Sequence, residues 1–544
     1  MIFNTKKLKI TSLLLLAATL SFGQSNTSAL LPLPNRIEQM TGKKNFVLTP
    51  RTTIKTNLPK QAFCLFELQR ILGERTGQVA DIGAPSTSGN SVIEIELDPS
   101  IKGKEHYMLD ISEKKLSIKG SSHAALFYGL KTLDQILLGD VCNTANNQIA
   151  RIDDEPRYGY RALMLDPARH FLPVEDVKFY INQMAKYKYN VLQLHLTDDQ
   201  GWRVEIKKHP KLTEIGAFRN PKTGSNGPDN GFYTQEQLKD LIKYAADRNV
   251  EIIPELDIPG HTVAVLATYP ELGCTHTDTI QKIMGQTVDL MLCANNDKVY
   301  TVYDDIIKEI ADIFPSSKIH LGGDEAVIEK NWTKCTHCQD LMKQLGYTKE
   351  SQLMNYFFDK ILASVRKYGK EPMLWCELDN VRMPANEYLF DYPKDATLIT
   401  WRAGLTPKCI ELTAKHGNPL IMAPGEYTYL DYPQLKGDLP EFKNWGMPVT
   451  TLETCYRFDP GYGLPAAQQA HILGITGTLW GEAMQDINRV TYMTYPRGLA
   501  LAEAGWTQME HRSWDSFKER MYPNLMNLMK HGVFVRVPFE IVPR

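Results

Sequence analysis

Long apolar runs, an excess of either charge and a dense set of cysteines are all missing from the body of this sequence. Beyond its first segment no stretch approaches the ~20 apolar residues of a membrane-spanning helix, so an integral membrane protein is not expected. The 61 basic and 63 acidic side chains leave a net charge of -2, without the basic footprint of a nucleic-acid binder. Nine cysteines in 544 residues are too few for a disulfide framework, and their odd number predicts one or two bridges with thiols left over. Cys335-Thr336-His337-Cys338 has a spacing that could hold a metal. No matching Cys/His pair follows nearby, so a disulfide or inert thiols are expected there, with no metal and no other cofactor.

What is present points to a large, exported globular protein. Lys6, Lys7 and Lys9 precede an apolar run from Ile10 to Leu20 and small residues around Ser21 and Gly23, the pattern of a secretory signal. Residues 1–23 are therefore expected to be removed, leaving a chain that starts near Gln24 in the periplasm or outside the cell. With 43% hydrophobic residues the remainder can build a sizeable core.

Two rhythms divide that remainder. Residues 24–155 mix a helical stretch at Lys60–Leu72, an alternating strand at Ser91–Leu97, a hairpin over Tyr107–Lys119 turning at Glu113-Lys114-Lys115, and a second helix at Ser121–Leu138. This reads as a small α+β domain. From residue 156 to about 510, short apolar runs alternate with helical patterns. The expected strands are Ala162–Leu165, Val191–Leu196, Glu251–Leu256, Ile319–Leu321, Pro372–Trp375, Thr397–Trp401, Pro419–Met422 and Ile475–Leu479. Eight such strands with helices between them predict a (β/α)8 TIM barrel, whose site lies at the carboxyl ends of the strands. Residues 511–544 are expected to pack on the barrel as a helix and tail.

Polar and aromatic residues gather where those strands stop: Asp166 and Arg169, Asp198 and Asp199, Asp257 and His261, Asp324 and Glu325, Trp375 and Glu377, Trp401 and Arg402, Tyr429 and Asp431, Trp480 and Glu482. Carboxylates and tryptophans in one mouth suit a sugar, whose ring face stacks on aromatics while its hydroxyls bond to fixed polar groups. Asp324 and Glu325 are adjacent. Ordinary glycosidases set two carboxyls about 5–9.5 Å apart on opposite faces of the sugar, which neighbours at one strand end cannot readily reach. If Glu325 is the proton donor, Asp324 needs another task, and a substrate whose own 2-acetamido oxygen acts as nucleophile provides one.

His320-Leu321-Gly322-Gly323-Asp324-Glu325 is similar to the signature of family 20 glycoside hydrolases, the β-N-acetylhexosaminidases. Further matches are Asp166-Pro167-Ala168-Arg169-His170-Phe171, His195 through Trp202, Pro254 through His261, Tyr429-Leu430-Asp431 and Leu479-Trp480-Gly481-Glu482. The resemblance implies an exo-acting, retaining enzyme on oligosaccharide or glycoconjugate ends that works through an oxazolinium ion. It makes Glu325 the acid and base, with a pKa raised in the closed site with the help of the charge of Asp324, and makes Asp324 the holder of the acetamido N–H. Arg169 and Glu482 would bind the hydroxyls on carbons 3 and 4, Tyr429 the acetamido oxygen and Asp431 the hydroxyl on carbon 6. Trp375, Trp401 and Trp480 would enclose the acetamido methyl, and Asp198 with His261 would support the acid.

The chain departs from that pattern at Gln193, where many relatives carry histidine, and at Cys376, where aspartate is common; both bear on the expected outer binding region. Two alternatives stay open: a disaccharide-releasing relative of the lacto-N-biosidase kind, and a sugar-binding protein without catalysis. Oligomeric state is not readable.

Overall fold

The computed structural model describes residues 29–39, 46, 52–77, 81–82, 91–138, 149–218, 230–274, 290–378, 387–436, 438 and 447–541. The expected export segment lies outside the described residues.

The leading part is a mixed sheet of seven strands: β1 (Arg36–Gln39), β2 (Thr53–Thr56), β3 (Asp81–Ile82), β4 (Val92–Leu97), β5 (Tyr107–Ile111), β6 (Lys115–Gly120) and β7 (Ile149–Asp154). Their order is β1-β7-β5-β6-β4-β2-β3. The expected hairpin is β5 against β6, antiparallel with Tyr107 opposite Gly120 and Ile111 opposite Leu116. Helices Phe63–Thr76 and His123–Leu138 pair with each other, and the second lies on the sheet, burying Leu126, Leu130 and Leu133 among the strand residues.

Eight parallel strands then close a barrel: β8 (Tyr160–Leu165), β9 (Val191–Thr197), β10 (Glu251–Ile258), β11 (Lys318–Gly322), β12 (Glu371–Trp375), β13 (Thr397–Ile399), β14 (Leu420–Met422) and β15 (Ile472–Leu479). All eight fall on the expected runs. Their near-continuous apolar character follows from burial on both faces: the barrel interior on one side, the helices on the other. The interior holds a small cluster of its own, with Ala162, Val191, Ile253, Met373, Ile399 and Ile421, separate from the main core outside it. Among the crossover helices, Gln235–Asp247 opens on a reciprocal capping box between Thr234 and Gln237.

Buried ion pairs join the two parts at the amino ends of β8 and β9. Arg161 forks onto Glu105 at 2.8 and 3.0 Å, and Lys188 lies 3.3 Å from Asp154, which also accepts from Trp506 Nε1 at 3.0 Å. Burial pulls the Lys188 amine down to about 8 although Asp154 opposes the shift. The helix Trp514–Lys530 packs on the barrel helix Arg497–Trp506 through Arg520 and Glu503, at 2.7 and 2.8 Å. It also reaches the leading segment, where Arg520 and Asn524 bond the Leu30 and Ala29 carbonyls.

The expectation of one or two disulfides is not met among the described residues. None of the eight cysteines there is in a disulfide, and four of them, Cys274, Cys293, Cys335 and Cys338, gather in one place.

Candidate active site

The mouth of the barrel is built upward from one buried carboxylate. Glu255, inside β10, accepts from Gln193 Nε2 at 2.8 Å and Trp375 Nε1 at 2.9 Å, and it stands 3.1 Å from His195 and 3.2 Å from His320. Burial alone would raise its pKa; the charges of His320 and His195 outweigh that and hold it well below the usual carboxylate range. The strands thus support the site through a charged layer set just above their apolar interior.

From His195 the network runs outward. Its Nε2 lies 3.0 Å from Asp198, and Asp198 meets Arg169 at 2.8 Å and His261 at 3.4 Å. Arg169 is also held by Asp166 at 2.9 Å, and Asp166 in turn accepts from the Gly481 N–H at 2.8 Å. A guanidinium clamped between two carboxylates, with its charged carbon 5.1 Å from the centre of the Trp480 ring, cannot swing. It is an oriented donor, not a mobile surface charge.

At the end of β11 the chain turns through Gly322 and Gly323, both with positive φ, and Glu325 keeps φ at 48° without being glycine. A Cβ on Gly322 would overlap the Asp257 carboxylate, so the turn demands glycine there for space as well as for φ. This turn sends the two carboxyls to different surroundings. Asp324 is buried, and its Oδ1 has no hydrogen-bond partner. Its pKa is raised, first by burial and then by the charge of Glu325, against the pull of His261. Glu325 is half exposed at 50% and sits 3.6 Å from His261 Nε2. Its pKa is lowered, with His261 as the main cause. The raised pKa expected at Glu325 concerns the closed site, with the sugar covering the carboxylate. The bond and charge of His261, with the charges of Arg402 and Arg169, outweigh the effect of burial. Asp198 raises the pKa of His261 well above the ordinary value in spite of burial, which favours the imidazolium.

The cavity above has a volume of about 470 Å3. Nine of the expected residues line it: Arg169, His261, Asp324, Glu325, Trp401, Tyr429, Asp431, Trp480 and Glu482. Two do not. Asp198 is buried behind Arg169 and His261, and Trp375 is fully buried beneath Trp480, 5.7 Å between ring centres, with its N–H spent on Glu255. Tyr429 presents a buried hydroxyl that has no acceptor for its proton, and Trp401 a buried indole N–H without a partner. Asp431 is pushed up to about 8 by burial and then by the charge of Glu482. Glu377, which accepts from the Glu325 N–H at 3.4 Å and pairs with Arg402 at 3.3 Å, is pushed up to about 7 by burial.

Tyr432, Met447 and Pro448 complete the wall and were not singled out in the sequence. Tyr432 directly follows Asp431, so adjacency was an available signal; Met447 and Pro448 lie between β14 and β15 in a stretch without a motif. Glu255 stood inside a quoted motif, and its part as the foundation of the mouth is visible only in three dimensions. The departures at Gln193 and Cys376 do not reach an outer binding region. Gln193 is fully buried on Glu255, and Cys376 is buried beside β13, donating its N–H to Ile399.

His195, Glu255 and Asp257, and likewise Asp198, Asp257 and His261, bring possible metal ligands within 4.8 Å of one another. Their histidines and carboxylates already compensate one another's charge, with Arg169 on Asp198, which leaves a cation little to neutralise. Cys335 and Cys338 have no Cys/His partner pair shortly downstream. Cys274 and Cys293, from upstream, lie beside them, all four sulfurs within 4.8 Å of one another.

Comparison with known proteins gives a consistent result. The description "Glycosyl hydrolase family 20, catalytic domain" matches residues 158–509, and "Glycosyl hydrolase family 20, domain 2" matches residues 27–154. A beta-hexosaminidase of Akkermansia muciniphila is 38% identical over 427 residues, covering 78% of this chain and 84% of the relative. One from Porphyromonas gingivalis is 33% identical and covers 94% of this chain, which spans 65% of that longer protein. Among solved structures, an exo beta-N-acetylglucosaminidase from Vibrio harveyi in complex with N-acetylglucosamine superposes with a TM-score of 0.80 at 31% identity, covering 94% of this chain and 79% of that one. A second, described as a beta-N-acetylhexosaminidase, gives 0.78 at 32% identity over 96% and 99% of the two chains.

Proposed function

The chain belongs to glycosyl hydrolase family 20, and from that premise we propose that it is an exo-acting β-N-acetylhexosaminidase whose cavity takes one terminal sugar and uses the sugar's acetamido group as the nucleophile. The observation that carries the reading is the pair at the end of β11. Two carboxyls on adjacent residues cannot readily flank a scissile bond from opposite faces, as the usual pair does. One of them keeps a buried oxygen, Asp324 Oδ1, without a hydrogen-bond donor, and an acetamido N–H is such a donor.

The steps follow from these roles. Glu325 gives its proton to the departing glycosidic oxygen while the acetamido carbonyl oxygen attacks carbon 1 from the other face. Asp324 holds the acetamido N–H and balances the positive charge of the oxazolinium that forms. Tyr429 donates its unspent hydroxyl proton to the attacking oxygen and so orients it. Glu325, now a carboxylate, takes a proton from water as it opens the ring. Two inversions at carbon 1 leave the β configuration unchanged.

Arg169, locked by Asp166 and Asp198, donates to the hydroxyls on carbons 3 and 4, and Glu482 accepts from carbon 4. Asp431 meets the hydroxyl on carbon 6. Trp401 and Trp480 enclose the acetamido methyl directly, and Trp375 acts from beneath by supporting Trp480. Asp198 holds His261, and His261 sets the charge at Glu325. The low pKa of Glu325 fits its second task; a bound sugar that displaces water and covers the carboxylate raises it for the first.

Release of 4-nitrophenol from its β-N-acetylglucosaminide and β-N-acetylgalactosaminide tests the activity. Defined glycans with β-linked termini test the mode: a single N-acetylhexosamine is the expected product. A disaccharide product would favour the lacto-N-biosidase-like alternative, and sugar binding without turnover the inactive one. Residues 1–23 serve as an export signal in this reading, so the secreted or periplasmic protein should begin near Gln24 on amino-terminal sequencing. Recovery of the whole protein from the cytoplasm with Met1 retained would reject it.

A further inference from the structure

The loop after β10 and the segment after β11 meet at four cysteines. Cys274 follows the short helical turn Pro270–Leu272, Cys293 precedes the helix Asp297–Ile313, and Cys335 and Cys338 sit at the start of the helix Thr336–Leu345. Their sulfurs are 3.8 Å apart for Cys274 and Cys338, 3.9 Å for Cys293 and Cys335, and 3.6 Å for Cys293 and Cys338. All four lie within 4.8 Å of one another, three of the residues being buried and Cys274 partly so.

These distances fit one geometry. Four thiolates around a single zinc ion at about 2.3 Å define a tetrahedron whose sulfur–sulfur edges are about 3.8 Å. A disulfide brings two sulfurs to about 2.05 Å. An iron–sulfur cluster needs its ligands spread around several metal and sulfide atoms, wider than this group allows. The frame around the sulfurs is prepared without any covalent link. Cys293 donates its N–H to Leu272 at 2.8 Å, Cys274 to Met291 at 3.3 Å, and Trp332 Nε1 to Leu292 at 2.9 Å. Cys335 and Cys338 flank the first turn of a ten-residue helix, where the exposed N–H groups and the helix dipole favour thiolate over thiol.

We infer that Cys274, Cys293, Cys335 and Cys338 form a closed structural site for one zinc ion. Binding releases four thiol protons to solvent and leaves a tetrathiolate complex with no open position, so the ion takes no part in the hydrolysis. Its effect is positional. His261 and Glu325, which face each other across the mouth, lie on the two segments that the ion would join. Metal-bound thiolates would also be withheld from oxidation outside the cytoplasm.

The experiment is elemental analysis of the full-length purified enzyme after dialysis against EDTA. About one zinc per chain is expected, together with its stoichiometric release, read with a chromophoric chelator, when an organomercurial is titrated in. Protein produced with cobalt in place of zinc should show thiolate-to-cobalt charge transfer and the visible bands of a tetrahedral ion. The double variant Cys335→Ser with Cys338→Ser should lose the metal at least tenfold, whereas Cys409→Ser should retain it. Because the double variant could fail to fold, the wild-type measurements decide. Metal-free wild-type enzyme, four thiols that react freely with a disulfide reagent in the folded state, or two disulfides among these cysteines on non-reducing peptide mapping would each overturn the inference.

Discussion

His261 and Glu325 approach each other from neighbouring loops with the same uncommon backbone, φ 51° and 48°, and with 3.6 Å between Nε2 and Oε2. Non-glycine residues pay for this conformation, so the facing pair is held by its surroundings. The charge on His261 lowers the pKa of Glu325. Replacing it in His261→Gln should raise that pKa, so the alkaline limb of kcat/KM, where the acid loses its proton, should move to higher pH. A pH profile measured on an aryl β-N-acetylglucosaminide checks the direction; an unmoved or lowered limb would remove His261 from this role.

Glu325→Gln should leave the fold intact, because the side chain is half exposed. It should lower kcat by roughly 10^2 to 10^4, the usual contribution of a positioned acid and base. Substrates whose leaving group departs without a proton should lose less. Steady-state kinetics on activated and unactivated leaving groups, beside a thermal melt of each protein, separates the chemical loss from damage to the fold.

Asp324→Asn should lower kcat by about 10^2 to 10^3, the scale of one lost electrostatic stabiliser. The loss should be confined to substrates whose own acetamido group must attack. The wild-type enzyme should hydrolyse the corresponding aryl β-glucoside, which has no acetamido group, far more slowly than the N-acetylglucosaminide. Comparable rates on the two would contradict the assisted mechanism.

Gly322→Ala should be damaging for reasons of space and backbone together. The new methyl would meet the Asp257 carboxylate, and φ at this position is 65°. Overpacking and left-handed strain together amount to roughly 2–5 kcal/mol. Denaturant titration should show the lost stability, and activity should fall with it because the same turn aims Asp324 and Glu325.

Asp431 should make the enzyme less stable in alkali. Its folded-state pKa of about 8 lies above the ordinary value of 3.8. Between those values the folded protein keeps a proton that the unfolded chain has released, so this contribution to stability shrinks as pH rises and is lost on passing the upper one. Asn cannot ionise. Asp431→Asn should therefore gain in Tm over wild type by ~2–4 °C at pH 9, while the two differ little at low pH. A constant difference across the pH range would argue against the raised pKa.

The architecture was legible because buried parallel strands are short, apolar on both faces and separated by amphipathic helices; even β13 and β14, of three residues each, lay within expected runs. The mouth was legible because barrel geometry puts strand ends together, so Arg169, His261, Trp480 and Glu482 could be gathered from distant positions. Depth was not. Trp375 and Trp480 look alike in sequence, and only the bond from Trp375 to Glu255 places one beneath the other. Nor was the sign of the Glu325 shift readable, since it depends on a 3.6 Å approach between two loops. The cysteine cluster escaped for a related reason: its first pair precedes the second by 42 and 64 positions in the contacts that join them, with no regular spacing to mark it.

The ion pairs between the leading sheet and the barrel bear on how the molecule comes apart. Arg161 and Lys188 belong to the barrel but find their compensating carboxylates, Glu105 and Asp154, in the other part. Separating the two parts would deprive a guanidinium and an amine, both buried in the joined molecule, of their carboxylates. Neither part can melt while the other stays native without bearing that penalty, so the two parts should unfold together in one calorimetric transition. A barrel expressed by itself inherits two cations at its base without their carboxylate partners.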